Sequence, residues 1–241
     1  FAPGDLPALL AEHDVTIFAA APGVYRQMLK NRPFGKMSLR HGLSAGEKLP
    51  PVTQRDWYAE TGTKIYEAFG MSECSTFVST SPDRPGNAET LGRPQRGRRA
   101  AILGPDGPLP IGQAGTIAVS RRDPGLFLGY LDAPQETQNK FQGEWFLTGD
   151  TGEMAQDGSI TYLGRQDDMM NTGGYRVSPI EVETVLCEHP LVTDCAVTEV
   201  ALRQGVSVIA AFYLADDGVA DEILQSHAET KLARYKQPRI Y

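Results

Sequence analysis

Several short stretches of this chain place reactive side chains beside glycine. In YEAFGMSE (residues 66–73) an apolar run ends in Phe69, turns through Gly70 and presents Ser72 and Glu73. An aromatic face, a hydroxyl donor and a carboxylate at a strand end suit a flat base, a phosphate and Mg²⁺, which takes one or two carboxylates plus phosphate oxygens. A capped strand end with a solvated Glu would read the same way. WFLTGD (145–150) carries Thr148, Gly149 and Asp150 on a hydrophobic strand into a turn. A carboxylate fixed there can accept two hydrogen bonds from a ribose diol, or it closes a plain Gly-Asp turn. Arg165 follows on the far side of a predicted hairpin through Asp157–Gly158–Ser159, and the returning strand can bring it to Asp150.

SAGEKL (44–49) ends a third strand, and without a Cβ Gly46 lets backbone approach a flat ring. LGRPQRG (91–97) is basic but has no Walker pattern, so it reads as a turn, with Arg93 making a local contact. GRQDDMMNTGGYRVSPIEVE (164–183) packs Arg165, Asp167, Asp168, the Gly173–Gly174 doublet, Tyr175 and Arg176 ahead of Ser178–Pro179, which opens a helix. Charge beside flexibility suits a joint, or a loop that meets an anionic ligand.

The elements that must position these groups fall into three textures. Residues 1–80 alternate helical and strand-like runs: helices over 5–13, 24–31 and 51–61, and strands over 15–21, 39–44 and 64–69. That alternation predicts an α/β layered unit with a parallel sheet. Residues 81–166 are rich in Gly and Pro between short strand-like pieces at 100–103, 116–120, 145–147 and 159–163, which predicts a small antiparallel barrel or sandwich. From 167 to 241 the pattern is helix 180–189, strands 192–200 and 207–214, and helix 220–233, a compact α+β unit.

Composition narrows the function. With 23 Lys and Arg against 30 Asp and Glu, the net charge of −7 disfavours nucleic acid as a partner. Cys74, Cys187 and Cys195 have no metal-ligand spacing and read as thiols in a reducing cytoplasm. No apolar run reaches the 18 residues of a transmembrane helix, and the N-terminal stretch does not read as a signal peptide.

SAGE, YEAFGMSE, LGRPQRG, the GY-x-x-x-P-x-x-T pattern of GYLDAPQET, WFLTGD and GRQDD…GGYR…P-x-E-V-E, in this order, resemble the adenylate-forming superfamily of acyl-CoA synthetases, luciferases and peptide-synthetase adenylation domains. Residues 44–73 and RRDPGLFLGYLDAP look most like its medium-chain acyl-CoA and benzoate-CoA ligase branch. The resemblance implies a partial large N-terminal domain, its α/β part at 1–80 and its β-barrel at 81–166. A hinge at Asp167 and a small mobile C-terminal domain at 167–241 follow. It implies ATP/AMP, Mg²⁺ and coenzyme A as ligands and a medium-chain aliphatic or aromatic carboxylic acid as substrate, in fatty acid metabolism. A homodimer is compatible with it.

Residue by residue, Gly46 and Glu47 match the adenine and acyl pocket. Glu67, Ala68 and Phe69 match the adenine-contacting stretch, and Ser72 an α-phosphate contact. Glu73 matches the Mg²⁺ carboxylate, and Asp150 with Arg165 the ribose site. Gly173, Gly174 and Tyr175 match the thiol-tunnel loop, and Arg176 a phosphate-approaching residue. The family's phosphate loop would lie upstream, and its C-terminal Lys beyond YKQPR. The expectation is therefore a piece of such a ligase, inactive alone. The alternatives are an adenylation domain loading a carrier-protein thiol and a non-catalytic nucleotide-binding module.

Overall fold

The computed structural model describes residues 3–86, 90–172, 175–203, 206–215 and 219–241. Gly173 and Gly174 lie outside the described residues. The chain divides into two compact units, Phe1–Thr148 with Gly152–Tyr162, and Gly149–Thr151 with Leu163–Tyr241.

The first unit begins with α1 (Leu6–Glu12), β1 (Ile17–Ala20), α2 (Pro22–Leu29), β2 (His41–Ser44), α3 (Pro51–Thr61) and β3 (Ile65–Met71). Proline opens α2 and α3, where its missing N–H would have had no helical partner in any case. β1, β2 and β3 run parallel, with Ile17 beside His41 and Gly42 beside Ile65. Tyr25 and Trp57 meet edge to face at 4.8 Å in the core under this sheet, together with Leu10, Met28 and Leu49. The Tyr25 hydroxyl, 2.9 Å from the carbonyl oxygens of both Phe18 and Leu43, ties β1 to β2.

The sheet continues with β4 (Ser75–Ser79) and β5 (Arg93–Pro94) in the order β1-β2-β3-β4-β5. Here the structure departs from the sequence reading. β3 does not end at Phe69 with a turn through Gly70. It runs on to Met71 and pairs antiparallel with β4, Ala68 beside Ser79 and Met71 beside Ser75, with an irregularity between Phe69 and Gly70. The two strands press together at that point, and a Cβ on Gly70 would lie 2.2 Å from the Ser75 carbonyl oxygen. Ser72 and Glu73 therefore sit at a hairpin tip.

A second sheet is built from β6 (Ala100–Gly104), β7 (Gly107–Pro108), β8 (Ala114–Ser120), β9 (Phe141–Gln142), β10 (Trp145–Met154) and β11 (Ile160–Arg165), with the short helix α4 (Pro134–Asn139) before β9. Its order is β11-β10-β8-β6-β7, with β9 on β10. Alternating residues Ile102, Ile117, Val119, Phe146 and Ile160 meet Phe77, Val78 and Leu91 in one core. The predicted barrel strands are all present, but the piece at 145–147 is the start of a ten-residue strand. Asp150 consequently lies within a strand rather than at the turn expected from Gly-Asp. LGRPQRG is likewise more than a turn, since Arg93 and Pro94 pair with Ser79 and Val78.

In the second unit β12 (Met170–Thr172) and β13 (Tyr175–Val177) form an antiparallel ribbon. They are followed by α5 (Pro179–Cys187), β14 (Val192–Arg203), β15 (Val206–Ala215) and α6 (Asp221–Lys231). β14 and β15 are antiparallel, and Val177, Val182, Leu186, Val197, Ile209 and Leu224 form the core against the helices. The Ser178 hydroxyl caps α5 by accepting the Glu181 N–H at 3.2 Å. Glu183, one turn on, accepts the Val197 N–H at 2.8 Å and joins helix to sheet. Among the described residues no helix is long and apolar enough to cross a membrane.

Candidate functional site

The β3–β4 tip presents Ser72, which is exposed, and Glu73, which is half-buried. Glu73 is held at two points by the segment after β8. The Phe127 N–H donates to its carbonyl oxygen at 2.7 Å, and the Tyr130 hydroxyl donates to Oε1 at 2.8 Å. Partial burial, then the Glu73 carboxylate itself, pushes the Tyr130 phenol up to about 12, so it keeps its proton and remains a donor at neutral pH. From the other side the Arg98 guanidinium donates to the carbonyl oxygens of Cys74 and Thr76, gripping the tip by its backbone.

No cluster of three or more His, Cys, Asp or Glu side chains occurs among the described residues. The donor set therefore does not fit a metal caged by protein alone. It fits a hard cation that takes one carboxylate and completes its shell with phosphate and water, as Mg²⁺ does. Glu73, with one oxygen bonded to Tyr130, can offer the other.

β2 and β3 bring SAGEKL and YEAFGMSE side by side, with Ser44 in register with Glu67. Gly46 and Glu47 are exposed in the turn after β2. Glu67 is buried, its Oε1 accepting the Leu49 N–H at 3.1 Å while its own N–H donates to Thr80 Oγ1 at 2.9 Å. Burial raises its carboxyl above the usual range, against the lowering effects of the Leu49 N–H and Lys48. Glu67 thus staples the Gly46 turn to β3. Phe69 packs at 5.4 Å on Phe77 and 5.7 Å on Tyr162. A cleft of about 390 Å³ opens beside α3, lined by Arg55, Tyr58, Lys64, Glu67, Thr80 and Thr90 among others. Of the residues predicted for the nucleotide, Glu67 alone borders it.

The second unit gathers a separate set. Gly149 takes a φ of +83°, and the Gln166 N–H donates to its carbonyl oxygen at 2.8 Å. That crossing sets the Arg165 guanidinium 3.7 Å from the Asp150 carboxylate, which is 6 % exposed, and 3.9 Å from Asp167. Asp167 stands in an exposed turn between β11 and β12. Arg176 donates to the Gln166 carbonyl oxygen at 3.2 Å. Asp150, Arg165, Asp167 and Arg176 therefore form one cluster. Tyr175 stacks on Tyr235 at 4.4 Å.

Sequence reasoning gave no role to Tyr130, Arg98 or Asp123. Tyr130 lay inside GYLDAPQET, a quoted motif, and Arg98 directly follows LGRPQRG. The signal for each was proximity to a motif, and the partner was far along the chain.

The profile of a family described as AMP-binding enzyme matches residues 1–131, and that of the AMP-binding enzyme C-terminal domain matches 181–241. The acyl-coenzyme A synthetase ACSM3, mitochondrial, of Rattus norvegicus is 34 % identical over 247 residues, covering 95 % of this chain and 42 % of that protein. The chain thus spans less than half the length of this curated relative. Among solved structures, the anthranilate CoA ligase AuaEII in complex with anthranoyl-AMP superposes with a TM-score of 0.87 at 31 % identity, over 99 % of this chain and 48 % of the other. A benzoate CoA ligase from Burkholderia xenovorans LB400 gives 0.86 at 29 % identity, over 100 % of this chain and 50 % of the other.

Proposed function

Because the chain belongs to the AMP-binding enzyme family, we propose that it is part of an ATP-dependent acyl-CoA synthetase. The reaction joins a carboxylic acid to AMP and passes the acyl group to the thiol of coenzyme A. The acid's oxygen bonds to the α-phosphorus of ATP as pyrophosphate leaves. The thiol sulfur then bonds to the acyl carbon as AMP leaves. A carboxylate is already nucleophilic, so the first step asks for placement and charge neutralisation more than for a strong base.

In this proposal Asp150 accepts the two ribose hydroxyls, oriented by Arg165. Gly46, Glu47, Ala68 and Phe69 border the adenine and acyl side, with Glu67 holding the Gly46 turn in place. Ser72 donates to the α-phosphate, and Arg176 is a residue that approaches phosphate. Glu73 would hold Mg²⁺, which supplies neutralisation of phosphate charge when bound. Asp167 is the hinge position, and Gly173, Gly174 and Tyr175 approach the thiol. Our substrate class is a medium-chain aliphatic or aromatic acid; anthranilate and benzoate in the names of two similar ligases support the aromatic part, and coenzyme A in the relatives' names supports it, rather than a carrier protein, as acceptor. Three unbridged cysteines fit a reducing compartment, and the cytoplasm is our placement, while the rat relative's name places that protein in the mitochondrion.

The observation that most supports this reading is Asp150: a carboxylate 6 % exposed, inside a strand, with an arginine 3.7 Å away. Calorimetry with a non-hydrolysable acyl-sulfamoyl adenosine tests it. The chain is expected to bind, and Asp150→Ala to weaken binding by about 1.5–3 kcal/mol, the scale of a hydrogen bond to a charged group. Equal affinity of the variant would remove Asp150 from the ribose site, and no heat at all would favour a non-nucleotide module.

A further inference from the structure

GYLDAPQET contributed to the family resemblance but has no role in the reaction as described so far. Its spacing has a structural cause. Pro134 opens α4, and the Thr137 side chain, in the helix's first turn, accepts the Tyr130 N–H at 2.9 Å through Oγ1. The Thr137 hydroxyl in turn donates to the Ala133 carbonyl oxygen at 3.0 Å. Tyr130 is thereby fixed by its backbone, and its ring is fixed edge to face on Phe127 at 4.9 Å. Phe127 itself is anchored on Phe146 at 5.5 Å. The Tyr130 carbonyl oxygen accepts the Ala133 N–H at 3.3 Å, and the hydroxyl donates to Glu73 Oε1 at 2.8 Å. A proline, a threonine and two aromatic rings thus hold one phenol against one carboxylate, 57 positions apart in sequence.

We propose that Tyr130 is a positioning residue for Glu73: its hydroxyl occupies Oε1 and so fixes the carboxylate with Oε2 presented for a nucleotide-bound divalent cation. This rests on the reading of Glu73 as the magnesium carboxylate. A carboxylate at a hairpin tip otherwise samples several rotamers, and a cation that takes a single protein oxygen gains most from having that oxygen already placed. The bond also explains why the tip is secured twice by the 127–130 segment, once through the Glu73 carbonyl and once through its side chain.

The test uses the 241-residue chain, Mn²⁺ as a paramagnetic substitute for Mg²⁺, and ATP, with four proteins: wild type, Glu73→Gln, Tyr130→Phe and the double variant. Tyr130→Phe keeps the ring on Phe127 and removes only the hydroxyl. Electron paramagnetic resonance reads the affinity for Mn²⁺ in the presence of ATP. The expected result is about 10-fold or greater weakening for Tyr130→Phe, the usual cost of losing a hydrogen-bond partner of a ligand. Glu73→Gln should weaken binding at least as much, and the double variant no more than Glu73→Gln alone, because the two act as a unit. The line shape of the bound Mn²⁺ is the second readout: it is expected to change in Tyr130→Phe as it does in Glu73→Gln.

If Glu73→Gln leaves Mn²⁺ affinity unchanged, or the wild type shows none, the metal role of Glu73 falls and this inference falls with it. If Glu73→Gln weakens binding while Tyr130→Phe does not, the metal role stands and the positioning role is overturned. A bound-Mn²⁺ line shape unmoved by Tyr130→Phe overturns the positioning role as well.

Discussion

Arg98 Nε lies 2.8 Å from Asp123 Oδ1, and the Asp123 side chain is wholly shielded from solvent. Asp123 is satisfied at every side, for Oδ1 also accepts the Gly125 N–H at 2.9 Å and Oδ2 the Arg99 N–H at 2.7 Å. The guanidinium spends its other donors on the Cys74 and Thr76 carbonyl oxygens. The pair thus joins the loop after β8, the approach to β6 and the Glu73 hairpin. Replacing Arg98 by Met would leave a buried carboxylate without its cation and two backbone carbonyls without their donor. Urea denaturation is expected to show a loss of about 3–5 kcal/mol. Removing both charges with Arg98→Met and Asp123→Leu should cost less than Arg98→Met alone, since no uncompensated charge remains. A single variant as stable as the wild type would show that the tip is held by packing instead.

Glu67 makes a prediction about pH. Its folded-state carboxyl titrates above the ordinary 4.5, chiefly because burial disfavours the charge. Between 4.5 and that raised value the folded chain keeps a proton that the unfolded chain has released. Stability from this group is therefore greatest at low pH and declines as pH rises through the window. Glu67→Gln retains an oxygen for the Leu49 N–H but has no charge to desolvate. Relative to the wild type, the variant's stability should improve as pH is raised from about 4 to about 8. Chemical denaturation across that range checks it, and a stability difference that does not change with pH would contradict the assignment. Glu67→Ala, which strips the Leu49 N–H of its acceptor, should be destabilised at every pH, by about 1–3 kcal/mol.

Periodicity and punctuation made the layers legible. α3 spans Pro51–Thr61 as read from the sequence, and β6, β8 and β11 lie where short apolar pieces stood between glycine turns. The errors share a cause. Gly70 and Gly149 looked like strand ends because glycine usually marks turns, yet both lie inside strands, one at a close crossing and one at a positive φ. β4 (Ser75–Ser79) was passed over because its Ser and Thr residues mask the alternation around Phe77. Local pattern also could not supply Tyr130–Glu73 or Arg98–Asp123, because each pair closes only when distant strands meet. The Asp150–Arg165 pair was legible because a single hairpin return connects them.

That hairpin return depends on Gly149, which allows a last prediction. Its φ of +83° lies where L side chains are strained, and an added Cβ would sit 3.4 Å from the Arg165 guanidinium. The strain of such a conformation is about 1–2 kcal/mol per residue. At that distance the guanidinium is in ordinary van der Waals contact and need not move, so the cost is the backbone strain alone. Gly149→Ala should therefore lower stability in urea by about 1–2 kcal/mol. The same loss should appear when Gly149→Ala is made in an Arg165→Ala background, because Arg165 takes no part in it. If Gly149→Ala were as stable as the wild type, the strand would reach Asp150 without the kink, and the geometry that places Arg165 would need another source.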